Sequence, residues 1–424
     1  MKKLMLVALL AAAAMPVQAA AQSKDAAAKT LFASKKFATA KASIAADHTR
    51  IVDEVVKLTE IPAPPFKEEA RGKAFLEMLR AEGLTDLTTD EVGNVYGTRK
   101  GTGGGPLIVI TVHLDTVFPE GVSTKTRREG NMIYAPGIGD ATCGLPVLTA
   151  FIRAMKAANY STKADIIFMG NVGEEGPGDL RGARYLFSKS PLKDKISYFI
   201  SLEPGRADRI TNAGIGSKRY KVTFKGPGGH SQGDFGIVNP AYAMANAMVE
   251  FGKMKVPTEP RTVYNVGIVE GGTSVNSIPF ATAMTIDMRS TGKAELDAEE
   301  KTFLSLLQPA VDAENTARST AKGKITYETK QVGDRPVGSI ALDTPIMQVA
   351  AAASKAGGFS PKFGAGSTDS NIPFSMGIPA VTLGSGFQTM RAHSLEEVMV
   401  VDKEKDVASM STILGTLLLL ADAK

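Results

Sequence analysis

Leu107-Ile-Val-Ile-Thr-Val-His-Leu114, closed by Asp115, is the stretch that decides how this 424-residue chain folds. Its residues are apolar or β-branched with no polar alternation, the pattern of a strand buried on both faces. Short runs of the same kind recur at Ile166 to Val172, Tyr198 to Leu202 and Pro379 to Leu383. Helical patterns lie between them, Leu145 to Ala158 among them, so strand alternates with helix. That alternation predicts an open α/β sheet covered by helices on both sides.

Upstream, apolar positions at helical spacing (Ile51, Val55, Leu58) precede the break Ile61-Pro-Ala-Pro-Pro65, and a second helical pattern covers Glu68 to Glu82. Residues 22 to 48, rich in Ala, Lys and Ser, read as a helical or loosely ordered lead-in. The first residues are of another kind. Lys2 and Lys3 precede an apolar run from Leu4 to Met15, then small residues at Ala19 to Ala21. This is the layout of a secretory signal, so residues 1–21 are expected to be removed and the protein to be periplasmic or secreted. No later apolar stretch is expected to be long enough to span a bilayer. Hydrophobic residues make up 43% and charged residues 22% of the chain, which is ordinary globular composition. The formal charge of +5 includes Lys2 and Lys3, and the small remainder gives no reason to expect nucleic acid or a membrane as partner. Cys143 is the only cysteine, so no intrachain disulfide can form.

Downstream of Gly214 the pattern changes. Strand (Tyr220 to Phe224), helix (Ala241 to Met254), strand (Val263 to Val269), strand (Ala281 to Met288), helix (Glu295 to Leu307) and strand (Ile325 to Thr329) follow in order. Asn239 and Pro240 form a start signal for the first helix, and Pro309 is read as the stop of the second. A β-α-β-β-α-β order is the split βαβ, ferredoxin-like arrangement. The expected division is therefore a catalytic domain in two parts, 22–213 and 331–424, with an α+β domain inserted at 214–330.

Chemistry concentrates where the buried runs end. His113 and Asp115 are two apart and share a strand face. Asp140 precedes a helix in Gly139-Asp-Ala-Thr-Cys-Gly144. Glu174 and Glu175 follow the second run, Glu203 ends the third, and His393 comes soon after the fourth. Taken singly, a His-x-Asp is usually a hydrogen-bonded pair, Asp140 a helix cap and a Glu-Glu pair solvated charge. Together they place two histidines and at least four carboxylates around one crevice. Such anions are not crowded together without cations or protons. Two divalent ions satisfy this, and mixed His and carboxylate ligands suit zinc.

These residues resemble the pattern of the M20 family of zinc metallopeptidases, over essentially the whole chain from about residue 50. The resemblance implies a zinc-peptidase catalytic domain, a mixed sheet flanked by helices, carrying an inserted lid or dimerisation domain. It implies that Asp140 bridges two zinc ions, with cobalt or manganese as substitutes. His113 and Glu203 would hold one ion, Glu175 and His393 the other. Glu174 would be the general base and Asp115 would orient His113. Gly226-Pro-Gly-Gly-His-Ser231 and Gly271-Gly-Thr-Ser-Val-Asn-Ser-Ile-Pro279 resemble the family's lid motifs, with His230 and Asn276 toward substrate, and Arg289 matches an arginine that binds a substrate carboxylate. In dimeric relatives the lid His and Asn serve the neighbouring subunit, which implies a homodimer through the lid. Gly384-Ser-Gly386 would bring backbone donors to the substrate. Many relatives have Asp-x-Lys at the bridging position, whereas here Ala141, Thr142 and Cys143 follow Asp140. Cys143 itself reads as a small packed residue rather than a ligand.

The expected reaction is amide hydrolysis in short peptides or N-acyl amino acids. Glu203, rather than Asp, is the choice of the carboxypeptidase-like and deacylase members. Two other readings stand beside it: an aminopeptidase of M28 or peptidase T type, and a non-catalytic periplasmic binding protein with the same fold. The two lid motifs argue against the M28 type, and the complete ligand set argues against the binding protein.

Overall fold

A computed structural model describes residues 22–424; the expected signal peptide, 1–21, lies outside them. The chain forms two compact units. One comprises the chain up to Gly214 together with Ser339–Lys424, and the other is Ile215–Gly338.

The first unit is built on a nine-stranded mixed sheet. Leu107–His113 is parallel to Asp165–Asn171 on one side and to Ile196–Glu203 on the other. Ala380–Gly384 extends the parallel set beside Ile196–Glu203. Antiparallel strands flank this core: Val95–Arg99 and Thr85–Thr89 on one side, Arg209–Gly214 on the other. None of these three was expected, because no run among them is long or apolar enough to stand out. The four parallel strands end on one rim, with His113 opposite Asn171 and Glu203 opposite Gly384. From Leu107–His113 the chain passes first to one neighbour and later to the other. The strand order reverses at that point, which opens a crevice at the rim.

Helices cover the sheet. The lead-in is helical, at 22–32 and then in Lys35–Thr59, whose first turn is capped by Ser34 Oγ accepting from Phe37 N at 3.1 Å. That helix buries Phe37, Ile44, Ile51, Val55 and Leu58, and packs on Gly144–Ala157. Contrary to expectation, one later stretch, Ile138–Ala157, is long and apolar enough to cross a bilayer. With 89% of its apolar window buried it is a core helix. A small antiparallel sheet (Arg127–Glu129, Met132–Tyr134, Val398–Val400, Gln388–Met390) completes the unit and holds the chain on either side of His393.

The second unit has the expected β-α-β-β-α-β order. Its strands lie Thr262–Gly271, Ala281–Ser290, Gly216–Lys225, Thr326–Arg335 across one antiparallel sheet. Its helices are Pro240–Gly252, capped by Asn239, and Lys293–Ala317. Two boundaries differ from expectation. Residue 330 falls inside a strand that continues to Arg335. Pro309 does not stop its helix, which runs on to Ala317 because Ala310, Val311 and Glu314 are buried beyond it. That packing offsets the hydrogen bond the proline removes.

Glu299, on the same helix, is 4% exposed and neither carboxylate oxygen has a hydrogen-bond partner. Burial, with Asp287 adding repulsion, pushes its pKa from 4.5 to about 8. An acid whose folded pKa is raised weakens the fold as pH climbs from the unfolded to the folded value. Glu299→Gln is expected to stabilise this unit by roughly 1–3 kcal/mol at pH 9 and to leave it unchanged near pH 4. Urea unfolding at the two pH values measures the difference, and equal midpoints for variant and wild type at pH 9 would contradict it.

Candidate metal centre

The rim of the parallel sheet gathers the residues singled out in the sequence. His113, the last residue of its strand, is buried, and its Nδ1 donates to the backbone oxygen of Asp115 at 2.9 Å. This directs Nε2 outward, 3.2 Å from Asp140 Oδ1 and 4.0 Å from Glu203 Oε2. The other oxygen of Asp140 lies 3.3 Å from His393 Nε2. His393 Nε2 in turn lies 3.0 Å from Glu175 Oε1. One carboxylate thus stands between two histidines, giving one oxygen to each. His393 has φ of +65°, a left-handed conformation that costs a non-glycine residue about 1–3 kcal/mol and recurs at functional sites.

Asp115 orients His113 through its backbone. Its carbonyl, not its carboxylate, takes the histidine hydrogen bond. The carboxylate accepts from the backbone N–H of Glu174 at 3.0 Å and of Glu175 at 2.8 Å. Asp115 therefore fixes both histidine and glutamate pair. Gly173, just before them, has φ of +68°, and a Cβ there would stand 2.3 Å from Arg181 Nη1, so only glycine suits this turn.

The loop of Asp140 is held by a residue the sequence reading missed. Glu397, fully buried, accepts from the N–H groups of Gly137 (3.1 Å), Gly139 (2.7 Å) and Asp140 (2.7 Å). It lies four residues after His393, and this closeness to a candidate ligand was the one signal available. Asp369, in the stretch Gly364-Ala-Gly-Ser-Thr-Asp-Ser370 that resembles a family loop near the site, is buried beside the cluster. Its Oδ2 accepts from Asn171 Nδ2 at 2.6 Å, and its Oδ1 has no partner.

The electrostatics are those of crowded anions. Burial raises Asp115 to about 6, Glu175 to about 7 and Asp369 to about 8, with Glu174 adding repulsion to each. Glu203 is pushed well above the usual range, chiefly by burial. Burial opposes a charge on His113, yet Asp140, Glu203 and Asp115 hold its pKa well above 6.5. Hydrogen bonds to Asp140 and Glu175 lift His393 to about 10. Burial would raise Asp140 too, but the two histidines keep it below its usual value. The carboxylates draw in whatever positive charge is available.

The donor set fits divalent cations. One ligand atom from each of His113, Asp140 and Glu175 lies within 4.8 Å of the others, and Glu203 Oε1 is buried without a hydrogen-bond partner. Imidazole and carboxylate donors in this mixture are those that zinc takes. Cys143 takes no part. Its thiol contacts Gly139 O and Ser385 Oγ, and burial pushes its pKa up to about 12. The backbone donors expected from Gly384-Ser-Gly386 are also committed elsewhere. Ser385 N bonds Glu203 O at 2.7 Å and Gly386 N bonds Gly205 O at 2.9 Å.

In the second unit, Gly229–His230 pairs with Ser277–Ile278, and Ser231 N donates to Asn276 O at 3.0 Å. His230 and Asn276 are thereby neighbours. His230 Nδ1 accepts from the N–H of Gln232 and of Gly233, both at 3.2 Å, which leaves the ring proton on Nε2. Arg289 is not with them. It lies at the other end of Ala281–Ser290, roughly 25 Å along the strand at about 3.3 Å per residue, where its Nε donates to Asp287 Oδ2 at 2.6 Å.

Comparison with known proteins gives a consistent result. Residues 109–419 match the family described as peptidase family M20/M25/M40. Carboxypeptidase G2 of Pseudomonas sp. (strain RS-16) is 26% identical over 247 residues, 54% of this chain and 56% of that protein. The chain thus spans little more than half of that relative. A tripeptidase from Staphylococcus aureus superposes with a TM-score of 0.71 at 20% identity, covering 88% of this chain and 98% of that one. Bacillus subtilis YxeP, described as a dinuclear metal-binding peptidase, gives 0.62 at 18% identity over 89% and 99%. At these identities the two structures speak for the fold alone.

Glu397→Ala is expected to unfasten the Asp140 loop and lower the affinity for a divalent ion about 10- to 100-fold. Cobalt titration against a competing chelator measures this, and an unchanged affinity would count against Glu397 as the clasp.

Proposed function

Because this chain belongs to peptidase family M20/M25/M40, a family of metal-dependent hydrolases, we propose that it is an exported di-zinc amidohydrolase acting on short peptides or N-acyl amino acids. The observation that carries the proposal is the placing of Asp140, with one oxygen at 3.2 Å from His113 and the other at 3.3 Å from His393. A carboxylate so divided is suited to bridging two ions. His113 and Glu203 would hold one ion, Glu175 and His393 the other. Bound there, the ions supply polarisation of the scissile carbonyl and an acidified water.

The chain's own groups do the rest. Asp115 holds the N–H groups of Glu174 and Glu175, so that Glu175 is kept for a cation and Glu174 for proton traffic. Glu174 takes the proton of the attacking water and returns it to the departing nitrogen. His230, with its proton on Nε2, is a donor suited to an oxyanion, and Asn276 beside it a second polar contact. Arg289 offers a guanidinium fork for a substrate carboxylate. Its separation from His230 and Asn276 within one chain agrees with a homodimer in which one substrate is met by residues of two chains. Ile268 and Val269, each more than half exposed on the edge strand Thr262–Gly271, are a surface such a dimer could cover. Glu203 favours carboxypeptidase or deacylase action over the aminopeptidase reading. The secretory layout of residues 1–21 supports a periplasmic or secreted location.

Purified protein should release amino acids from blocked dipeptides or from acetylated or succinylated amino acids, with zinc, cobalt or manganese added. Glu174→Gln should keep both ions and lose about 10²- to 10⁴-fold in kcat. Near-normal turnover in that variant would remove Glu174 as the base, and hydrolysis untouched by chelators would remove the ions.

A further inference from the structure

Arg71, in the helix Glu69–Ala81, has no solvent exposure. Its five N–H donors are all engaged, and none of its hydrogen bonds is to a carboxylate. Nε donates to Ile61 O at 3.0 Å. Nη2 donates to Ile61 O at 2.8 Å and Thr59 O at 3.4 Å. Nη1 donates to Leu114 O at 2.8 Å and Thr142 Oγ1 at 2.9 Å. Burial lowers its pKa to about 10, with Asp115 and Glu68 opposing the shift, so it is a cation at neutral pH. A buried cation held by carbonyls is costly to keep, and its place here is informative. Leu114 is the residue between His113 and Asp115. Thr142 is two residues after Asp140. Both bonds come from the same nitrogen, so Nη1 joins the strand end bearing His113 to the turn bearing Asp140. The remaining bonds fasten that junction to the end of Lys35–Thr59 and the Pro-rich turn after it.

We infer that Arg71 is a positioning residue that sets the spacing between the His113 and Asp140 loops, and thereby the affinity for divalent ions, without touching ion or substrate. The inference rests on the two-ion reading of the site. Its planar fork reaches two acceptors from one nitrogen and two more from the others, which a lysine cannot do. It also places one fixed positive charge under a cluster of carboxylates, where it acts whether or not an ion is bound.

The test is cobalt binding by the whole protein, followed by visible absorption and chelator competition, beside thermal melting. Arg71→Met should weaken cobalt binding about 10- to 100-fold and alter the cobalt spectrum. Arg71→Lys, which keeps the cation but not the fork, should recover only a small part of that affinity; full recovery by lysine would overturn the spacing role. Thr142→Val, which removes one acceptor and keeps the cation, should weaken binding several-fold with little change in melting. It keeps the question open to experiment if Arg71→Met does not fold. A purely structural Arg71 would lower the melting temperature and leave cobalt affinity and spectrum as in the wild type; that outcome, or wild-type binding in Thr142→Val, overturns the inference. If the wild type itself took up no cobalt, the two-ion reading would fall, and this inference with it. Cobalt binding by the wild type, equalled by the variants, would remove this inference alone.

Discussion

Repulsion among carboxylates is the constraint on which the rest of the catalytic unit depends. Asp115, Asp140, Glu174, Glu175, Glu203 and Asp369 meet at one rim, and five of the six are fully or nearly fully buried. No chain would hold them there unaided, since each added charge raises the cost of the next. Several features relieve it. The two histidines stand against Asp140 and Glu175. Asp115 is spent on two backbone N–H groups, Glu397 on three, and Arg71 lies beneath as a fixed cation. Each of these fastens a loop as well as answering a charge, so neutralising the site and shaping it are the same act.

Much of this was legible in the sequence, because buried parallel strands are the easiest elements to read. Leu107–His113 and the three other parallel strands show as unbroken apolar runs, and the ligand candidates sit where those runs end. The inserted unit was legible for a different reason: the order of its strand and helix patterns, with Asn239-Pro240 as a start signal, is that of a split βαβ arrangement. The strands Thr85–Thr89, an exposed edge, and Val95–Arg99, short and interrupted by Gly97, gave no comparable signal. Pro309 misled because a local rule was overruled by packing beyond it.

The supporting residues were the least visible. Glu397 and Arg71 make their bonds to backbone atoms distant in the chain, and nothing in their neighbours announces this. Arg71 sits in an ordinary helical pattern, where an arginine is by default a surface residue. Only position 142 carried a hint, as the place where the Asp-x-Lys of many relatives is broken. The structure shows that the threonine there takes the hydrogen bond of a cation arriving from another helix. Asp115 is the intermediate case. Its importance was evident from the His-x-Asp spacing, but not that its carbonyl would hold the histidine while its carboxylate held two backbone N–H groups.

The order in which strands enter the main sheet has a further consequence. Ala380–Gly384 lies between Ile196–Glu203 and Arg209–Gly214, yet it is made after the whole inserted unit. A growing polypeptide therefore carries an open slot in its main sheet, and lacks His393 and Glu397, until the segment that follows the inserted unit has been made. Pairings across such sequence separations form slowly. An incomplete chain released early would hold most of the acidic residues without His393 and Glu397 to organise them.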